Sequence, residues 1–109
     1  MPNTFPRVLA GRYSVSFTDH SIKPLRLIDT KPGDQQLLEI RFSQNRTGQA
    51  VFENGSQISF DVKWDGISDS YTFVYNEVPH MFSTKRDLGE VLTHVNVMSL
   101  NDLEQDYEN

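Results

Sequence analysis

Large apolar residues alternate with polar ones through most of the first three-quarters of the chain, the period of a β-strand with one buried face. The pattern runs through Arg12-Tyr13-Ser14-Val15-Ser16-Phe17, returns briefly in Leu25-Arg26-Leu27, and places Leu38, Ile40 and Phe42 on one face of residues 36–42. Pro24 and the cluster Lys31-Pro32-Gly33-Asp34 punctuate these runs. The clearest strand is Ile58-Ser59-Phe60-Asp61-Val62-Lys63-Trp64, bounded by Asn54-Gly55 and Asp65-Gly66. Both dipeptides favour tight hairpins.

The register of the two hairpins follows from burial. A two-residue Asn54-Gly55 loop pushes Phe52 to the polar face, whereas a three-residue loop Glu53-Asn54-Gly55, with Gly55 left-handed, pairs Ala50 with Ile58 and buries Phe52. The second choice is expected. For Asp65-Gly66 a two-residue loop pairs Trp64 with Ile67 and Phe60 with Tyr71, so the large side chains again share one face.

After Tyr71-Thr72-Phe73-Val74-Tyr75 the period changes. Pro79 argues against a continuing central strand, Ser83 or Thr84 suits a helix cap, and Leu88, Val91, Leu92 and Val95 follow at helical spacing. Residues 94–100 suit a final strand, and residues 1–7 and 101–109 are expected to fray. The expected fold is mainly β: one domain over residues 1–109, an antiparallel meander of six or seven strands forming a small barrel or strongly bent sheet, with one C-terminal amphipathic helix.

Composition narrows the function. The chain has 109 residues and no cysteine, which removes disulfides, thiolate metal sites and thiol nucleophiles. No apolar run reaches membrane-spanning length and residues 1–7 lack the apolar core of a secretory signal, so no membrane association and a cytoplasmic or host-cell interior location are expected. The net charge of −5 is uneven: residues 1–46 carry seven bases against four acids, and the rest carries three against eleven. Such asymmetry bears on partners rather than on fold.

Candidate chemistry is sparse. His20, His80 and His94 lack paired metal-ligand spacing, and Asp61, Asp65 and Asp69 do not match a calcium loop. The six glycines are isolated, so no phosphate loop is present and no cofactor is expected. His20 and His80 leave only a weak case for a small hydrolase or isomerase, without a nucleophile motif beside them. The reading is therefore a non-enzymatic interaction module, an accessory subunit, assembly factor or inhibitor. It would bind a basic protein partner through Asp61, Asp65, Asp69, Asp87 and Glu90. Two alternatives stand beside it. One is a nucleic-acid or other anionic-ligand surface on a stripe of Arg12, Arg26, Arg41 and Arg46. The other is a small-ligand-binding barrel lined by a surplus of the aromatic set Tyr13, Phe17, Phe42, Phe60, Trp64, Tyr71, Phe73 and Tyr75.

Overall fold

The computed structural model describes residues 5–26, 28, 30–43, 45–84 and 93–100. Eight antiparallel strands close into a barrel in simple chain order. They are β1 (Gly11–Ser16), β2 (Ser21–Pro24), β3 (Leu37–Phe42), β4 (Thr47–Phe52), β5 (Gln57–Asp65), β6 (Ser70–Tyr75), β7 (Val78–Ser83) and β8 (His94–Ser99). β8 pairs with β1, so Tyr13 stands opposite Val95 and the ring is complete. Closure leaves no sheet edge running the length of the molecule, which removes the aggregation hazard of an open meander.

The expected six or seven strands become eight, and no helix is among the described elements. Val95 faces the core from β8, Ser83 ends β7, and the Thr84 N–H donates to the Asp69 carbonyl. Leu88, Val91 and Leu92 lie outside the described residues. The final strand over residues 94–100 is borne out as β8. The strand expected at Leu25 is displaced: a four-residue turn from Phe17 to His20 starts the return at Ser21, which leaves Leu25 exposed in the bend that follows.

The three-residue loop after Phe52 is as expected. Ala50 pairs with Ile58, the Phe52 N–H donates to the Ser56 carbonyl at 3.0 Å, and Gly55 is left-handed at φ 87°. Phe52 is fully buried. The Asp65-Gly66 hairpin is longer than expected: Asp65 pairs with Ser70 and Trp64 with Tyr71 across a four-residue loop, and an Asx turn from the Asp65 Oδ1 to the Ile67 N–H sets its path. The slip moves each partner by an even number of positions, so the core face is preserved. Gly55→Val is therefore expected to cost about 1 kcal/mol or more through its positive φ. Gly66→Ala is expected to be near neutral, because its added carbon meets nothing closer than Trp64 Nε1 at 3.7 Å. Chemical denaturation of the two variants checks the contrast, and equal losses would contradict it.

Two further departures have local causes. A bulge between Leu37 and Glu39 turns Leu37 into the core and Leu38 out to solvent. Pro79 sits inside β7 opposite Val74, after a two-residue turn in which Asn76 and Glu77 both have positive φ. In such a hairpin Tyr75 and Val78 form the hydrogen-bonded pair, so the next residue on each strand directs its backbone polar groups away from its partner. At Pro79 that direction faces β8 just beyond its pairing, which begins at His80 and Ser99, and no ladder bond is lost.

Rings fill much of the interior. Trp64, Tyr71, Phe82, Phe73, His80 and Tyr75 make successive ring contacts, with centroid separations from 4.7 to 6.3 Å. Phe60 stacks on Phe73 at 4.8 Å, and a β-carbon on Gly48 would overlap the Phe60 ring. That contact accounts for glycine at the second position of β4.

One end of the barrel is sealed by the chain's own N-terminal segment. Phe5 packs on Phe52 at 4.4 Å, and Pro6 and Leu9 are buried. Phe5 and Pro6 thus belong to a plug rather than to a frayed end. The Leu9 N–H donates to His80 Nε2 at 3.0 Å, the Tyr13 hydroxyl donates to the Leu9 carbonyl at 2.6 Å, and the Asn76 amide donates to the Pro6 carbonyl at 3.2 Å.

Burial holds the Tyr13 and Tyr75 phenols well above the ordinary tyrosine value of 10.0; Tyr75 adds to the effect on Tyr13, and Asp34 to that on Tyr75. Below pH 10 both states keep these protons and the contribution to stability is complete. Above it the unfolded chain ionises while the folded chain does not, so stability falls toward the raised folded values. The expected result is cooperative alkaline unfolding, with at most two of the four tyrosines ionising beforehand. Absorbance at 295 nm followed alongside circular dichroism checks this, and ionisation of all four with native dichroism would contradict it.

Candidate functional site

Among the described residues, none stops the end opposite the plug. Three hairpin connections surround it, joining β1 to β2, β3 to β4 and β5 to β6, and each ends on a non-glycine residue in the left-handed region: His20 at φ 53°, Arg46 at 62° and Asp69 at 50°. Each of these residues also has its carbonyl tied to the next hairpin or strand. The Phe42 N–H donates to His20 O at 2.8 Å, the Val62 N–H to Arg46 O at 2.9 Å, and the Thr84 N–H to Asp69 O at 2.6 Å. This repeated arrangement stiffens the rim and presents an imidazole, a guanidinium and a carboxylate at equivalent positions around it.

Inside the rim the barrel presents two neighbouring recesses that share His20, Phe42 and Tyr71. One, of about 180 Å³, is walled by Val15, Ile22, Phe82 and Val95. Phe82, Thr84 and Val95 border it beyond Met81 and Met98, where the pairing of β7 with β8 stops. The other, of about 520 Å³, adds Ser43, Arg46, Thr47, Val62 and Trp64. Phe42 lies 5.4 Å from Phe82 and 6.1 Å from Tyr71, and Tyr71 lies 4.7 Å from Trp64, so a near-continuous wall of rings backs both recesses. Trp64 is 47% exposed there, although its alternation with Phe60 and Val62 marks it for the core. A further recess of about 510 Å³ lies along the barrel wall at Phe60, Phe73, Val74 and Pro79, where β5 and β6 pair only from Val62 to Asp65.

The expected acidic surface is partly assembled. Asp61 and Asp65 share the outer face of β5 with Lys63 between them, and Asp69 closes the loop that Asp65 opens. Hydrogen bonds from the Ile67 N–H and then Ser68 hold the Asp65 carboxyl below its ordinary value of 3.8. Asp87 and Glu90 lie outside the described residues. The arginine stripe is dispersed. Arg12 pairs with Asn96 on β8, and Arg26 follows Leu25, whose N–H donates to the Arg12 carbonyl, so both lie toward the plugged end. Arg41 stands opposite Ser21, level with Ser16 and roughly 13 Å along the sheet from Arg12. Its Nε contacts Glu39 at 2.7 Å. Of the four, Arg46 lines the larger recess at the mouth.

His80, beside the Pro79 that argues against a continuing strand, is wholly buried in β7. Its Nδ1–H donates to the Val78 carbonyl at 2.9 Å while Nε2 accepts from Leu9, an arrangement that requires the neutral imidazole protonated on Nδ1. That ring holds the plug. His94 contacts the Thr93 hydroxyl at 2.9 Å on the outside. Among the described residues no group of three or more potential metal ligands is gathered.

Alternation picks out Phe42, Trp64 and Tyr71 as inward-facing but carries no information on which end of the barrel each reaches. Phe82 was missed because its strand is interrupted in sequence by Pro79. Comparison with known proteins finds no matching family model, no matching curated protein and no matching solved structure.

Proposed function

We propose that the protein is a small-ligand-binding barrel whose site is the ring-lined mouth. The observation that carries this reading is the contrast, among the described residues, between the two ends. Phe5, Pro6 and Leu9 stop one, while Phe42, Trp64, Tyr71 and Phe82 line recesses at the other. An eight-stranded barrel is just wide enough to be filled by its own side chains or to hold one small ligand. Here the rings of β6 and β7 fill the depth and leave a cup at the top. Ligand sites are typically concave, mostly apolar and furnished with a few polar groups, a description that His20, Ser43, Arg46 and Thr47 meet among the rings.

The test is titration with the neutral fluorophore N-phenyl-1-naphthylamine. A saturable one-to-one rise in probe emission is expected, weakened at least tenfold in a folded Val15→Trp variant whose indole fills the smaller recess. No saturable rise, or equal affinity in the variant, would reject the reading.

One observation favours a second reading, a protein partner docking on the acidic rim. Ile67 is 98% exposed at the tip of the β5–β6 loop, between Asp65 and Asp69. An apolar anchor flanked by carboxylates suits a basic partner, with the charges speeding encounter. A partner recovered from source cells should be lost with both Ile67→Ser and Asp65→Lys; undiminished recovery with both variants would reject this reading.

A further inference from the structure

Resting on the reading of the mouth as a ligand site, we infer that its larger recess selects a planar aromatic ring bearing one anionic group, a carboxylate or a phosphate. The recess holds two kinds of wall. Trp64 and Tyr71, their ring centroids 4.7 Å apart, offer flat surfaces, and Trp64 keeps nearly half its surface open to a ligand. Facing the same space are the Arg46 guanidinium, the His20 imidazole and the Ser43 and Thr47 hydroxyls, and no carboxylate lines it among the described residues.

The backbone that carries these polar groups is fixed in place. Arg46 and His20 occupy left-handed positions whose carbonyls are bonded to the Val62 and Phe42 N–H groups, and Ser43 and Thr47 are joined by a backbone bond of 2.9 Å across the same turn. Arg46 takes part in no ion pair among the described residues, whereas Arg41, on the preceding strand, is engaged by Glu39. A guanidinium binds a carboxylate or phosphate through a fork of parallel N–H donors, and the Ser43 and Thr47 hydroxyls, hydrogen-bonded to each other, leave at most one proton for a remaining oxygen lone pair. Rings stack on rings. The protein as a whole is anionic, with a net charge of −5, so a preference for anions here must come from the local Arg46 side of the recess rather than from bulk attraction.

The experiment is calorimetric titration with 2-naphthoate, 2-naphthyl phosphate and the neutral 2-naphthylmethanol. At least one anion is expected to bind tenfold or more tightly than the alcohol, and the tighter of the two identifies the anionic group. Arg46→Asn, which tolerates the left-handed turn, should bring the anions down to the affinity of the alcohol without changing the alcohol itself, and Arg46→Lys should restore part of the preference. Trp64→Ala should weaken all three. Equal affinities for the anions and the alcohol, or a preference that survives Arg46→Asn, would overturn the inference while leaving the mouth as a ligand site. If none of the three binds, the inference falls together with the reading on which it rests.

Discussion

Phe73→Ala is expected to cost about 3–5 kcal/mol, a large share of the roughly 5–15 kcal/mol by which a domain is stable. Phe73 is the centre of the internal column of rings: it stacks on Phe60 at 4.8 Å and on His80 at 5.2 Å, and meets Phe82 edge-on at 6.3 Å. Its replacement opens a void that three strands, β5 to β7, must collapse around, and β5 and β6 hold one another only from Val62 to Asp65, next to that void. The variant should be recovered largely unfolded or with its melting temperature lowered by tens of degrees. A melting temperature within a few degrees of the parent would show that the column is not the source of stability.

His80→Phe comes next in size, at about 1–3 kcal/mol. Phenylalanine keeps the ring against Phe73 but removes the acceptor for the buried Leu9 N–H and the donor to the Val78 carbonyl. The loss should be local as well as global. Amide exchange at Leu9 and Ala10 should accelerate well beyond the change in global stability, because the plug can open without the barrel unfolding. Exchange at Leu9 that slows or tracks only the global loss would contradict the assignment of His80 as the latch of the plug.

The parts of the fold legible in the sequence are those decided by neighbours. Alternation in β5 and the left-handed glycine at Gly55 were enough to place Phe52 inside and to set the pairing of Ala50 with Ile58. What escaped depends on groups far apart or on turns without a signature. The Asn76-Glu77 turn puts a glutamate at positive φ, where composition points to glycine, and so Pro79 read as a break instead of the second residue of a strand. The bulge at Leu37 and Leu38 has no marking residue and exchanges which leucine is buried. The helical spacing that ends at Val95 coincides with a strand position, and pairing with Tyr13 across the closing seam decides its state.

The candidate site was legible only as a surplus of aromatic residues. Its polar members, His20 and Arg46, converge because two turns separated by a full hairpin reach the same recess, and nothing in their spacing announces it. The plug is equally hidden, since the bond that holds it spans 71 positions from Leu9 to His80. Arg12, Arg26 and Arg41 illustrate the converse. Arg12 and Arg41 both face outward, yet strand register sets Arg41 well along the sheet from Arg12 and Arg26 and against Glu39.

The central claim is that the ring-lined mouth opposite the plug is where this barrel binds. Amide chemical-shift mapping during titration with 2-naphthylmethanol addresses it most directly. The account predicts saturable shifts concentrated at His20, Phe42, Thr47, Trp64, Tyr71 and Phe82, with Leu9, Phe52 and Val78 at the sealed end unmoved. Shifts centred on the sealed end or on Val74 and Pro79 in the barrel wall, or no saturable shifts at all, would contradict it.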